Sequence, residues 1–246
     1  MKIENSTALV TGANRGLGRA LVQALLKGGA RRVYAAARNP ATLDGLARDA
    51  AERVVPLAID VTDQASLLAA AQRAPDVDLL INNAGVLASF DLLESSADAL
   101  ATDFKTNTFG MLAVIKAFLP ALERAAARGP GRAAVVSVLS VVSLASMPVL
   151  GGYSASKAAA FSFTQGLRPG LMRRGIALHA ALPGAIDTDM VRMFEMPKTS
   201  PEQVAQGILA GVSRGLAEFG PDPMSDQLFA AWRTDPLAVA QQLASM

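Results

Sequence analysis

Six short apolar runs, near residues 7–10, 32–37, 54–59, 79–82, 133–139 and 177–182, alternate with six longer amphipathic stretches near 16–27, 41–51, 64–73, 103–127, 153–173 and 201–214. A strand that is apolar at nearly every position has to be covered on both faces. A strand followed by a helix and another strand closes a parallel pair with a right-handed crossover. The pattern therefore predicts an α/β fold, a doubly wound parallel sheet with helices on both faces. Apolar residues make up 51% of the 246 and charged residues 18%, and no low-complexity linker divides the rhythm, so residues 1–246 are expected to form one domain. In such sheets ligands bind beyond the carboxyl ends of the strands, so function is sought just after each apolar run.

Composition removes several chemistries. Without cysteine there is no disulfide, thiolate metal site or thiol nucleophile, and with His179 as the single histidine there is no His-based triad or His cluster, so no metal is expected. His179 itself lies inside an apolar run and reads as a core residue. The formal net charge is +2, and the arginine pairs Arg31-Arg32 and Arg173-Arg174 stand apart without interleaved aromatics, which argues against nucleic acid as a partner. Residues 1–5 carry charge and lead straight into a strand without the apolar segment of a secretory signal, so a cytoplasmic protein is expected. The apolar stretch 133–150 is broken by Ser137, Ser140, Ser143, Ser146 and Pro148 and is not expected to span a membrane.

The first run leads into Thr11-Gly12-Ala13-Asn14-Arg15-Gly16-Leu17-Gly18, a glycine turn that opens a helix whose free backbone N–H groups can face a pyrophosphate. The spacing is G-x-x-x-G-x-G, and a tight strand-to-helix turn alone would use the same glycines. Twenty positions after Gly18 the second run ends in Ala37-Arg38, where a site for NAD would carry an acid for the ribose hydroxyls. Arg38 offers a bidentate partner for a 2′-phosphate instead, and Arg15 supplies a second positive charge. The plainer reading leaves both as solvated arginines. Asp60 and Val61 end the third run and can meet an adenine through a carboxylate and a backbone contact, while Thr62 or Asp63 caps the following helix. Asn82-Asn83-Ala84-Gly85 ends the fourth run in a small-residue turn that either approaches the adenosine side of a cofactor or is an Asx turn.

Tyr153 and Lys157 are four residues apart and share one helix face, so an ammonium beside the phenol can favour its ionised form and bring an ordinary value of about 10 toward neutral pH. Ser140 follows the fifth run, thirteen positions before Tyr153, with a hydroxyl suited to a carbonyl oxygen. Asn107 is an indifferent helix former in a helical stretch, where it is either a surface residue or holds a water against Lys157. Pro183-Gly184-Ala185-Ile186-Asp187-Thr188 leaves the sixth run; beyond turn chemistry, the Ile186 backbone and the Thr188 hydroxyl can hold a carboxamide. Met190, Val191, Met193, Phe194 and Met196, ahead of Pro197 and Pro201, form either a helix face or a lid over an apolar substrate, so residues 188–200 are expected to be a substrate loop. Val142, Ser143, Met147 and Leu150 are expected to shape the same pocket.

Together these residues resemble the short-chain dehydrogenase/reductase family over residues 7–190, about three quarters of the chain. The resemblance implies a Rossmann-type doubly wound sheet of about seven strands. It implies a cofactor turn at Thr11 to Gly18, a structural Asn-Asn-Ala-Gly at Asn82 to Gly85, and a catalytic tetrad of Asn107, Ser140, Tyr153 and Lys157. Tyr153 would then protonate a carbonyl oxygen that Ser140 polarises while NADPH delivers hydride. Lys157 would bind the nicotinamide ribose, and Asn107 would anchor a relay water. Arg15 and Arg38 look like the family's NADP-preferring pair, which points to reduction of an apolar ketone or aldehyde. An alcohol or hydroxysteroid-type dehydrogenase running oxidatively, and an NADP(H)-binding sensor without turnover, are the alternatives. The ending Phe219-Gly220-Pro221-Asp222-Pro223-Met224 departs from the family's usual final strand, which uses Thr-Gly. A homodimer through the helices at 103–127 and 153–173, or a homotetramer, is the expected assembly.

Overall fold

The structure, a computed structural model, describes residues 1–50 and 52–245. Seven strands form one Rossmann-type sheet: β1 (Thr7–Thr11), β2 (Arg32–Ala37), β3 (Val54–Ala58), β4 (Leu79–Asn82), β5 (Ala134–Val138), β6 (Ala177–Ala181) and β7 (Glu218–Phe219). All neighbours are parallel, in the order β3-β2-β1-β4-β5-β6-β7. The chain winds outward in both directions from the β1–β4 boundary, so the crevice for a ligand opens above those two strands.

Alternation along each strand decides which helix covers it. Ala8 and Val10 of β1 and Leu79 and Ile81 of β4 lie on the face covered by α1 (Gly16–Lys27) and α7 (Pro201–Ser213). Leu9, Leu80 and Val135 point the other way, against Val114, Ile115 and Phe118 of α5 (Met111–Ala126). Leu9, Leu80 and Phe118 are fully buried, and each such side chain contributes about 1.5–3 kcal/mol through burial. No described helix is long and apolar enough to cross a bilayer.

Helix boundaries differ from the sequence pattern in three places. The stretch expected as one helix at 41–51 is a 3₁₀ turn, Pro40–Leu43, followed by a short α2 (Asp44–Asp49); Asn39 caps the turn, and residue 51 lies outside the described residues. The helix expected to begin at 103 begins at α4 (Ala97–Asp103), where the Ser96 hydroxyl caps the Ala99 N–H, and passes through a π-helical segment, Phe104–Gly110, before α5. After α3 (Gln64–Arg73), capped by Asp63, the other expected helices stand with ends shifted by at most two residues, including α6 (Gly151–Arg173). The third difference is the largest. β7 is followed by two helices the pattern did not assign, α8 (Pro223–Thr234) and α9 (Pro236–Ala244).

Gly207 on α7 faces the turn that follows β7, where an added Cβ would lie 1.9 Å from the Pro221 carbonyl oxygen. Two backbones in contact cannot yield as a flexible side chain would. Gly207→Ala is therefore expected to destabilise the fold by about 1–3 kcal/mol or more in urea unfolding; a neutral result would contradict this close approach.

Candidate active site

The turn after β1 is shaped by backbone contact. Gly12 and Gly16 have φ of 66° and 49°, and a Cβ on Gly18 would sit 2.0 Å from the Gly12 carbonyl oxygen, so glycine is required at the one position where α1 starts against the strand. The turn is fastened to β4 from the side. Thr11 Oγ1 accepts the N–H groups of Asn83 and Ala84, both at 3.0 Å, and Asn83 Nδ2 donates to the carbonyls of Thr11 at 2.9 Å and Gly12 at 3.3 Å. The Asn83 amide thus serves the turn itself. Its neighbours Ala84 and Gly85 line the cleft together with Gly12, Asn14, Gly16, Leu17 and Gly18.

Charged groups gather at one end of this cleft. Arg38 directly follows β2, is exposed, and makes no ion pair among the described residues. Arg15 is exposed as well and lies 3.7 Å from Asp189, which also pairs with Arg192. Asp60 lines the cleft beside Val61. Its carboxylate accepts the Thr62 N–H at 2.9 Å and the Thr62 hydroxyl at 2.7 Å, and these bonds hold it below the usual carboxylate range.

Tyr153 and Lys157 project from the first turns of α6 at the middle of the cleft, and Ser140 faces them from the end of β5. Lys157 is 5% exposed and donates to the Val138 carbonyl at 3.1 Å; its Nζ lies 5.8 Å from the Tyr153 ring centre. Burial brings the ammonium down to about 8 and, with the carboxylate of Asp103 nearby, pushes the Tyr153 phenol above its ordinary range. The expectation that Lys157 lowers the phenol is corrected here: desolvation opposes a phenolate more than an ammonium at this distance favours it, so Tyr153 keeps its proton. Ser140 Oγ accepts the Val142 N–H at 3.4 Å, which leaves its own proton free to be donated.

Asn107 lies behind the cleft wall, 2% exposed within the π-helical segment. Its Oδ1 accepts the Val86 N–H and its Nδ2 donates to the Val86 carbonyl and to Ser156 Oγ, all at 2.9 Å. The alternative of a surface residue is corrected: Asn107 is buried, and protein partners take both N–H groups of its amide and one acceptor position of Oδ1. Ser156 passes the contact on, donating to the Tyr153 carbonyl at 2.7 Å.

Pro183, Gly184, Ile186 and Thr188 line the cleft opposite Tyr153, and Met190, Val191, Phe194 and Met196 continue its wall. The 188–200 segment is a 3₁₀ turn at Asp189–Val191 and then irregular chain, fixed at its base by parallel pairing of Ile186 with Thr199. Met147 and Leu150 face the cleft as expected, whereas Val142 and Ser143 do not; Val142 packs against Leu228 and Val239.

Three contributions were missed by sequence reasoning. Asp103 is wholly buried and accepts the N–H groups of Ala88 and Ser89, at 2.9 and 3.0 Å, and the Ser89 hydroxyl. Asp222 caps α8 and accepts the Gly184 N–H at 3.0 Å. Met224 and Leu243, from α8 and α9, reach the cleft wall. The cleft as a whole encloses about 780 Å³, charged at the Arg38 end and apolar at the Leu243 end. Among the described residues no cluster of acids and histidine could hold a metal. His179 is buried as expected, with Nδ1 2.6 Å from the Leu216 carbonyl oxygen, and burial holds it below its usual value.

The sequence profile of the short chain dehydrogenases matches residues 6–198. This chain belongs to the short-chain dehydrogenase/reductase family. Among its relatives is the 3-oxoacyl-[acyl-carrier-protein] reductase of Salmonella typhimurium, 32% identical over 87% of this chain and 85% of that protein. The sorbitol dehydrogenase of Cereibacter sphaeroides is 31% identical over 76% of this chain and 73% of its own length. In structure, the chain is similar to a short chain dehydrogenase from Burkholderia cenocepacia in complex with NADP, with a TM-score of 0.90, 37% identity and 99% of both chains covered. This dehydrogenase is thus an oxidoreductase of the family's fold from end to end.

Lys157 titrates at 10.5 in an ordinary setting and at about 8 here. Between those values the unfolded chain holds the extra proton, so the wild type gains stability as pH rises through that window. Relative to Lys157→Met, it is expected to gain on the order of 1–3 kcal/mol between pH 7 and 10 in denaturant unfolding. A constant difference across that range would contradict the burial of the ammonium.

Proposed function

We propose that this short-chain dehydrogenase reduces an apolar, uncharged ketone or aldehyde to an alcohol with NADPH. The observation that carries the reading is that Ser140, Tyr153 and Lys157 line one cleft between a cationic arm and an apolar chamber. The cavity fits a dinucleotide: Gly12, Gly16 and Gly18 line it at the start of α1, whose N-terminus favours an anion. Arg15 and Arg38 would hold the 2′-phosphate, Asp60 and Val61 the adenine, Asn83, Ala84 and Gly85 the adenosine side, and Ile186 and Thr188, with Pro183 and Gly184, the carboxamide. When bound, the cofactor supplies hydride to the carbonyl carbon.

Tyr153 donates its proton to the carbonyl oxygen, and Ser140 donates a hydrogen bond to the same atom, so charge developing on oxygen is met from two sides. Lys157 would hold the nicotinamide ribose, and with the Val138 carbonyl fixing its Nζ it stays beside the phenol that must be reprotonated. Asn107 positions Val86 and, through Ser156, the first turn of α6. Residues 188–200 serve as the substrate loop and exclude water from the reacting carbonyl.

The oxidative alternative would run the same proton transfer in reverse; Arg15 and Arg38, suited to a phosphorylated cofactor, favour the reductive reading. A polyol, as the name of one relative suggests for that protein, would leave hydroxyls unpaired against Met147, Leu150 and Leu243. A homodimer through α5 and α6 is part of the reading, supported by Phe109, 56% exposed and packed against Phe163. A cytoplasmic location completes it.

Two variants test this function. Tyr153→Phe is expected to keep NADPH binding and lose about 10²–10⁴-fold in turnover of an apolar ketone panel followed by NADPH absorbance; retained turnover would remove the acid role. Arg38→Asp is expected to lower kcat/KM for NADPH by about tenfold or more relative to NADH, since a carboxylate would repel the 2′-phosphate that the guanidinium attracts. An unchanged ratio between the two cofactors would refute the phosphate assignment.

A further inference from the structure

The apolar end of the cleft is built in part by α8 and α9, and three contacts fix that wall. Asp222 accepts the Ser225 N–H at 3.0 Å as the cap of α8, and its second carboxylate oxygen accepts the Gly184 N–H at 3.0 Å, tying the helix pair to the loop after β6. The Met224 methyl group lies 2.8 Å from where a Cβ on Gly184 would stand, so the side chain covers that loop. On α9, Val239 and Leu243 are one turn apart and each 1% exposed; both pack into the cluster that contains Met147, Leu150 and Tyr153. Leu243 also lines the cleft, which Val239 does not. No charged side chain of α8 or α9 lines it.

We propose that Leu243 sets the size of the group the chamber accepts beside the reacting carbonyl, making α9 a substrate-selecting wall. The proposal rests on the reading of the cleft as a carbonyl reductase site and adds the residue that decides between short and long alkyl substituents. Its side chain is buried in the same apolar cluster as Val239, Leu228 and Val141, and close packing there limits how far it can yield to a larger ligand. Leu243→Ala removes three carbons from the wall and opens space for a longer chain, while Leu243→Phe fills the chamber and favours a shorter one.

A graded series of straight-chain 2-alkanones tests this in two ways on wild type, Leu243→Ala and Leu243→Phe. Turnover is followed with NADPH, and binding is followed by calorimetry on protein saturated with NADP⁺, where ketone and oxidised cofactor cannot react. NADP⁺ affinity and the thermal midpoint establish that each variant is folded, and Leu243→Phe covers the case in which the alanine variant is not. The long-to-short preference is expected to rise about tenfold in Leu243→Ala and to fall by a similar factor in Leu243→Phe, in binding and in kcat/KM alike. Preferences that shift in binding with no turnover by any protein would uphold the wall assignment and reject the reductase reading. Unchanged preferences in the folded variants, or no ketone binding to any of the three, would overturn the inference.

Discussion

The hydroxyl of Thr11 accepts two backbone N–H groups from the end of β4, and Asn83 returns its amide to two carbonyls at the end of β1. A parallel sheet satisfies its strands by lateral pairing, but where two neighbouring strands end their last carbonyls and N–H groups lose those partners. At the switch point the crevice would otherwise be lined by unpaired backbone groups with no fixed spacing. The exchange between Thr11 and Asn83 closes that gap and lets Gly18 approach Gly12 with no room for a side chain. The position of α1, and with it the arm that faces Arg38, follows from this one set of bonds.

From that edge the cleft changes character along its length. Exposed arginines at one end keep their charge in water, where an incoming anion can be drawn to them. At the centre, Lys157 and Tyr153 are desolvated together, and the same burial that weakens the ammonium strengthens the hold of the phenol on its proton. Beyond them the wall is methionine, leucine and phenylalanine. One continuous cavity therefore sorts charge from apolar surface without any metal ligand set among the described residues.

Much of this was legible in the chain itself. Runs such as Ala8-Leu9-Val10 and Leu79-Leu80-Ile81 could only be strands buried on both faces, and the glycine turn, Tyr153 and Lys157 stood at the strand ends where a site belongs. What escaped has physical causes. The role of Asn107 depends on partners far along the sequence, Val86 and Ser156, and no local propensity points to them. The effect of Lys157 on Tyr153 was misjudged because spacing reports proximity and says nothing of desolvation. The final helix pair did leave a signal, since Asp222-Pro223 and Asp235-Pro236 each combine an N-cap acid with proline at the first helical position. Apolar wall residues such as Leu243 gave none, because a leucine facing a cavity reads the same as one facing the core.

The π-helical segment between α4 and α5 has a consequence for how site and core coexist on one continuous helix. An i→i+5 pattern encloses one residue more in each hydrogen-bonded ring than the α-helical one and so widens the turn. Each residue of an α-helix advances the direction of its side chain by about 100°. The widened turn works as a phase adjuster, letting Asn107 point toward Ser156 while Val114, Ile115 and Phe118 still meet the sheet. Deleting a single residue from that turn would force a choice between the two, leaving either the amide or the apolar face of α5 turned the wrong way, so the length of this short stretch is as much a part of the design as its chemistry.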